Sequence, residues 1–436
     1  MEAGATSPTF LERWCTIISE PAKSNRPLGG SGATPALSPL AGAWCERGLA
    51  LCALALPPLL ALVPHGAAPL AGFAGICAAG LIAANPPYDV PALRRPAAIL
   101  GALFLWGVLS AAWAIDPGRS LVMAARLAGL FAAALALAAA ASRVAEPRRL
   151  TLFFVAGTAI GIALALYDLA SAGGLSRYVS IRVFAAPRLN QISVWVALFV
   201  LPASALLICR GRRLLALVAA AAMAATVFAL DGTTAKIALT LSLPIAALVY
   251  LRRGAVCRIA AALAMLAILT APLTLPQLAR LPEVFTTVDA FKDSAGHRLL
   301  IWSFTGHRIA ERPLGGWGLD SARAIPGGKI EIRPGQDWLP LHPHDAALQF
   351  WLELGAPGAA LFALFVALLW LRLGEAPWPR LYAAAAGGSF FAATAVASSA
   401  WGIWQEWWLG TLGLALFATL VMARVAPSPA GATPPR

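Results

Sequence analysis

Charge is what this sequence has least of. Only 12% of its 436 residues are Asp, Glu, Lys or Arg, about half the share of an ordinary soluble domain. With 59% hydrophobic residues, a water-soluble fold is excluded. Runs of 18 or more mostly apolar residues recur along the chain, each long enough to cross a hydrocarbon core of roughly 30 Å. They are too long for barrel strands, and backbone groups in lipid must be satisfied internally, so the spans are helices. Cysteine is sparse too. Cys15 and Cys45 lie near the N-terminus, and Cys52, Cys77, Cys209 and Cys257 lie in or beside the apolar runs. None falls in the long loop at 276–345, which excludes a disulfide framework there. No charged-then-apolar leader pattern opens the chain, and no internal repeat is visible. The first 47 residues, rich in Ser, Pro and Gly, are expected to form a disordered cytoplasmic arm.

What is there fits an all-α polytopic membrane protein. The runs predict about twelve spans, at 48–63, 67–84, 97–114, 120–141, 150–170, 190–208, 214–230, 235–251, 258–275, 346–371, 381–400 and 404–423. The organisation that follows is an arm at 1–47, nine spans within 48–275, a loop at 276–345, three spans within 346–423 and a tail at 424–436. The net charge of +13 falls mostly in short clusters between spans, the distribution of topology signals rather than of a nucleic-acid face. Arg94 and Arg95, Arg143, Arg148 and Arg149, Arg210, Arg212 and Arg213, Arg252, Arg253 and Arg258, and Arg372 and Arg380 share one side. The turns at 64–69 and 401–405 carry neither Lys nor Arg. By the positive-inside rule the basic side is cytoplasmic, with both termini.

Two segments on the opposite side are basic nonetheless. The loop at 171–190 carries Arg177, Arg182 and Arg188. The long loop carries Arg280, Lys292, Arg298, Arg308, Arg312, Arg323, Lys329 and Arg333. Long loops translocate whatever their charge, so topology does not account for these residues. They are either solvated surface or an anion site, for which the planar arginine fork suits phosphate.

Within the long loop, apolar residues at helical spacing predict a helix over 294–311, stopped by Arg312-Pro313-Leu314-Gly315-Gly316-Trp317-Gly318. Asp293 or Ser294 is positioned to cap its start. Arg298 and Trp302 share a face, with Thr305 a turn on. Leu341-His342-Pro343-His344-Asp345 then precedes the tenth span. Asp345 sits where an N-cap belongs and would hold His344 at the membrane boundary. His342, His344 and Asp345 could supply three metal ligands, but no zinc-enzyme motif is present. The reading favoured is His344 as a general base, made more basic by the neighbouring Asp345 carboxylate. Trp302, Trp317 and Trp338 are candidates to stack on sugars or to belong to an interfacial belt. Trp401, Trp404, Trp407 and Trp408 look like such a belt.

His344-Asp345, nine residues, then Gly355-Ala356-Pro357-Gly358 resembles the signature of the O-antigen ligase and O-antigen polymerase superfamily. Arg298-Leu299-Leu300-Ile301-Trp302, the Arg312–Gly318 turn, and Leu348-Gln349-Phe350-Trp351-Leu352-Glu353-Leu354-Gly355 resemble that family's pattern in order and spacing. Two departures stand out: the family usually has Asn, Ser or Gln where this chain has Asp345, and Ser-Arg where it reads Thr234-Ala235-Lys236. The resemblance implies transfer of a glycan from an undecaprenyl-diphosphate carrier at the periplasmic face, without metal or other cofactor. The acceptor would be lipid A–core or, in a polymerase, a growing glycan; a protein acceptor is the further alternative. It implies His344 as the base and Arg298 and Arg188 as diphosphate clamps, with Arg182 and Lys236 beside them. Asp345, His342, Trp302, Glu353, Gly355 and Gly358 would support the site, Glu353 as a pairing residue. The alternative from another class is an anion transporter, for which Tyr167-Asp168 is the best intramembrane candidate.

Overall fold

The computed structural model describes residues 39–86, 90–179 and 189–427. The arm up to residue 38, the tail from 428, and Arg182 and Arg188 lie outside the described residues. The fold is all-α apart from one short hairpin. In chain order the helices are α1 (Pro39–Leu62), α2 (Ala67–Ala84), α3 (Pro91–Ser110), α4 (Pro117–Ala140), α5 (Pro147–Ala170), the single turn α6 (Ser176–Val179), α7 (Asn190–Cys209), α8 (Arg213–Ala229) and α9 (Thr233–Leu278). There follow α10 (Pro282–Phe291), α11 (Asp293–Glu311), α12 (Ala346–Glu375), α13 (Arg380–Ala397) and α14 (Glu406–Val425).

Local chemistry sets these boundaries. Proline opens α3, α4, α5 and α10 at a position where its missing N–H costs nothing. Asp116 caps α4 by accepting from Arg119 N at 3.0 Å. Pro57 and Pro58 do not break α1, which starts at residue 39 rather than at the expected 48.

Among the described residues nine helices are long and apolar enough to cross a membrane. One of them, α9, has 46 residues, ~69 Å at helical rise and about twice a bilayer core. The sequence predicts two separate helices here. The structure joins them through a single non-helical residue, Arg252 (φ −141°, ψ 54°). Counting its two arms, with the shorter α8 and α13, twelve apolar helical segments occupy the twelve expected places.

One end of the bundle gathers the C-termini of α2, α4, α7, α12 and α14. There arginines bond the last carbonyls of neighbouring helices, where the helix dipole is negative. Arg253 donates to the carbonyls of Leu373, Trp378 and Ala376, and Arg380 to those of Tyr250 and Leu251. Arg210 reaches Val425, and Arg424 reaches Ala141 and Val144. The interior of the bundle is sealed by large side chains, with Trp195, Trp408, Tyr382, Phe154 and Phe417 fully buried.

The other end carries the segment from α10 to α12. Its hairpin pairs Glu331–Arg333 with Gln336–Asp337. The predicted stop at Arg312-Pro313 is where α11 ends. Its start is not capped as expected: no side chain caps α11. Asp293 instead accepts from Arg333 and Gln336 of the hairpin. The four tryptophans of 401–408 are not a belt. Trp404, Trp407 and Trp408 are buried, because the turn between α13 and α14 folds inward and packs their rings together (centroids of Trp401 and Trp407 4.6 Å apart).

Candidate active site

Three chain segments meet at the loop-bearing end: the turn after α11, the start of α12, and the α13–α14 turn. Gly355 breaks α12 with φ 62° and ψ −163°, a conformation open only to glycine. Gly316 (φ 66°) lies opposite. A Cβ on Gly355 would come 2.2 Å from the Leu314 carbonyl oxygen, and one on Gly316 2.4 Å from that of Glu353. The two glycines therefore let the backbones pair, with Trp317 N to Leu352 O and Gly318 N to Glu353 O both at 2.9 Å. Gly358, also buried on α12, packs against Leu354 of its own helix.

Glu353, fully buried, binds all three segments. It accepts from Asp320 N in the loop, from Trp404 Nε1 at 2.6 Å in the α13–α14 turn, and from Gln349 Nε2 at 3.0 Å on its own helix. A buried carboxyl group with three donors from three segments is a brace between them. Asp320 in turn accepts from Arg119 at 2.7 Å.

His344 sits at the rim of this frame, half-buried, in the left-handed region (φ 58°). For a residue with a Cβ that backbone costs about 1–2 kcal/mol, and four contacts enforce it. Asp345 caps α12, accepting from Leu348 N at 2.7 Å. Trp302 Nε1 donates to the Pro343 carbonyl at 3.0 Å. His344 N donates to His342 Nδ1 at 3.2 Å. His344 Nδ1 donates to the Ala400 carbonyl at 2.5 Å. That last bond fixes the proton on Nδ1 and leaves Nε2 as the free acceptor.

Asp345 does not play the electrostatic part expected of it. Its carboxylate turns to the helix N–H groups, and burial raises it to about 7 against the bonds from Leu348 and Ala347. His344 is lowered to about 4, chiefly by burial, with the Ala400 bond opposing and the charges of Arg298 and His297 adding. His342 is buried, with His344 N 3.2 Å from its Nδ1 and Gly402 N 3.1 Å from its Nε2; a neutral ring accepts at only one of the two nitrogens. Burial, with His344, Arg323 and Arg298 nearby, pushes its pKa down to about 2. His342 is therefore a neutral wedge under His344, the rings 4.2 Å apart. Among the described residues no group of three or more His, Cys, Asp or Glu could hold a metal ion.

The loop's basic residues separate cleanly. Arg308, Arg323, Lys329 and Arg333 are paired with Glu311, Asp320, Asp337 and Asp289. Arg280 bonds Gln277, Lys292 bonds Thr233, and Arg312 lies over the Trp317 ring. Among the described residues Arg298 alone of the eight has no hydrogen bond, ion pair or ring contact. It is half-buried, burial lowers its guanidinium below the usual value, and its charge bears on both histidines.

Lys236 is half-buried in the first turn of α9, and Thr233 of that turn accepts from Lys292 at the entry of α11. The proposed sugar-stacking faces are taken: Trp302 is a brace, Trp317 is buried under Arg312, and Trp338 stacks on Phe304 at 5.9 Å. The transporter reading loses its residue as well. Asp168 is fully buried and bonds Leu175 N at 2.9 Å, Ser176 N at 3.0 Å and Ser176 Oγ, which spends it on a turn. What the sequence did not reveal is the Ala400 carbonyl, since a backbone group leaves no mark in composition.

Residues 218–363 match the sequence model of a family described as O-Antigen ligase. A protein of Rickettsia conorii named "Putative polysaccharide ligase" is 35% identical over 126 residues, 28% of this chain and 30% of its own length. Its counterpart in Rickettsia prowazekii is 37% identical over 127 residues, again 28% and 30%. That of Rickettsia felis is 33% identical over 126 residues, 28% and 31%. The similarity thus spans about a third of the relatives' length. It supports the resemblance carried by the His344 motif: residues 218–363, which hold Arg298, His344 and Gly355, are a segment of the O-antigen ligase family type.

Proposed function

We propose that this chain is a membrane glycan transferase that moves a glycan from an undecaprenyl-diphosphate carrier to an acceptor hydroxyl at the periplasmic face, with O-antigen as the glycan and lipid A–core as the acceptor. One observation carries the reading: the single uncommitted arginine of the loop bears on a histidine whose Nδ1 is tied to a carbonyl and whose Nε2 is free. The positive-inside rule supports this orientation, since the arginine-rich end of the bundle is the one expected to be cytoplasmic and the site lies at the other.

In the reaction the acceptor oxygen attacks the anomeric carbon as the bond from that carbon to the phosphate oxygen breaks. The acceptor's proton passes to His344 Nε2. The departing diphosphate takes the bonding electrons, and Arg298 stabilises its charge in a site shielded from water. Arg188, Arg182 and Lys236 are the remaining clamp candidates. Burial is the main cause of the low value of this imidazole; the arriving diphosphate offsets the smaller part that comes from the Arg298 charge, and so shifts it upward. No step needs a metal ion or an organic cofactor.

A lipopolysaccharide gel from a strain of the source organism lacking this protein tests the reading. Bare lipid A–core, not rescued by His344→Ala, is the expected outcome. A core carrying one repeat unit would instead mean a polymerase, and an unchanged ladder would refute both.

A further inference from the structure

A second polar cluster lies at the same end of the bundle, where α7 and α9 begin. A Cβ on Gly232, just before α9, would stand 3.2 Å from both Asn190 Oδ1 and Ser193 Oγ, so the two helix starts are in contact. Neither start has a side-chain cap. Ser193 is fully buried, and Ser193 Oγ, Asn190 Oδ1 and Gln191 Oε1 are shielded from water with no hydrogen-bond partner among the described residues. Three orphaned oxygens within four residues weaken the fold unless something beyond the described residues meets them.

The chemistry of the orphans selects the occupant. A serine hydroxyl and two side-chain amides both donate and accept, so they suit a ligand that itself carries hydroxyl or amide groups. The uncapped helix starts and Lys236 supply donors in return. A sugar has both kinds of group; a bare phosphate has only acceptors. The position suits as well. Lys292 Nζ bonds Thr233 Oγ1 at 2.9 Å and so ties the entry of α11 to the start of α9. Arg298 follows six residues later, ~9 Å along the helix.

We infer that Asn190, Gln191 and Ser193 form a subsite for the sugar attached directly to the donor's diphosphate, with Lys236 at its edge where sugar and phosphate join. This rests on the donor reading above and adds to it the residues that recognise the sugar. Ser193 and the two amides bond its hydroxyl or acetamido groups, and Arg298 holds the phosphate.

The test compares two ligands on the purified full chain in lipid nanodiscs: undecaprenyl diphosphate, and the same carrier bearing one N-acetylhexosamine. The wild type is expected to bind the sugar-bearing carrier about tenfold or more tightly than the bare one. Asn190→Ala and Gln191→Ala are each expected to remove most of that preference while leaving the bare carrier's Kd unchanged. Arg298→Ala is expected to weaken both ligands alike. Should the alanine variants not fold, Ser193→Ala carries the same expectation. Equal loss for both ligands, or no loss for either, would overturn the subsite while leaving the donor reading intact, the second result marking a water-filled structural cluster. A wild type that binds neither carrier would overturn the donor reading and the subsite with it.

Discussion

The two ends of the bundle use the same residue type for opposite purposes. At the end that gathers helix C-termini, Arg253, Arg380, Arg210 and Arg424 are spent on backbone carbonyls. In the long loop at the other end, seven of the eight basic residues are engaged by acids, polar groups or rings, and Arg298 is left over beside His344. The sequence shows arginine clusters at both ends and does not distinguish them. What separates them is satisfaction. A committed arginine holds helices together, whereas a half-buried arginine with no partner is a cost to the fold that a bound anion would repay.

Breaking this contrast at Arg298 has the largest expected effect. Arg298→Ala should lower glycan transfer by about 10²- to 10³-fold with no loss of thermal stability in detergent. Arg298→Lys should recover part of the rate, since it restores charge without the bidentate fork. The mirror experiment is Arg253→Ala. It leaves three carbonyls without their donor and should cost about 1–3 kcal/mol of stability, read as a lowered Tm, while transfer per folded molecule is unchanged.

Asp345 sharpens the comparison by its pH dependence. Burial raises its carboxyl from the ordinary 3.8 to about 7, so the native state binds a proton that the unfolded chain has released. That proton stabilises the fold at low pH, and the advantage is lost as pH rises from about 4 through about 7. Asp345→Asn keeps the cap and has no proton to lose. It should be more stable than the wild type at pH 8, by on the order of 1–3 kcal/mol, with the gap closing toward pH 4 in a series of thermal melts.

Much of this was legible in the sequence, for physical reasons. Apolar runs of membrane length announce helices whatever their packing, so the twelve segments lie where expected, and Arg312-Pro313 ends α11 because proline and glycine stop helices locally. The cap at Asp345 was legible for the same reason. The failures all concern tertiary placement. Trp404, Trp407 and Trp408 have the composition of an interfacial belt, but the inward fold of the 398–405 turn buries them. Asp293 has the type of a cap but is taken by Arg333 and Gln336, some forty residues away. Asp345 adjoins His344 in sequence, yet its cap geometry points the carboxylate elsewhere. The Ala400 carbonyl that orients His344 lies 56 residues from it and carries no side-chain signal at all.

The central claim is that Arg298 is uncommitted because the donor's diphosphate is its partner. Its most direct test is binding of undecaprenyl diphosphate to the purified chain, comparing wild type, Arg298→Ala and Arg333→Ala at one ionic strength. The loop loses one positive charge in each variant, but only Arg298 lacks a protein partner. The account predicts affinity lowered by tenfold or more in Arg298→Ala and nearly unchanged in Arg333→Ala. Equal losses in the two variants would reduce Arg298 to general surface charge and contradict it.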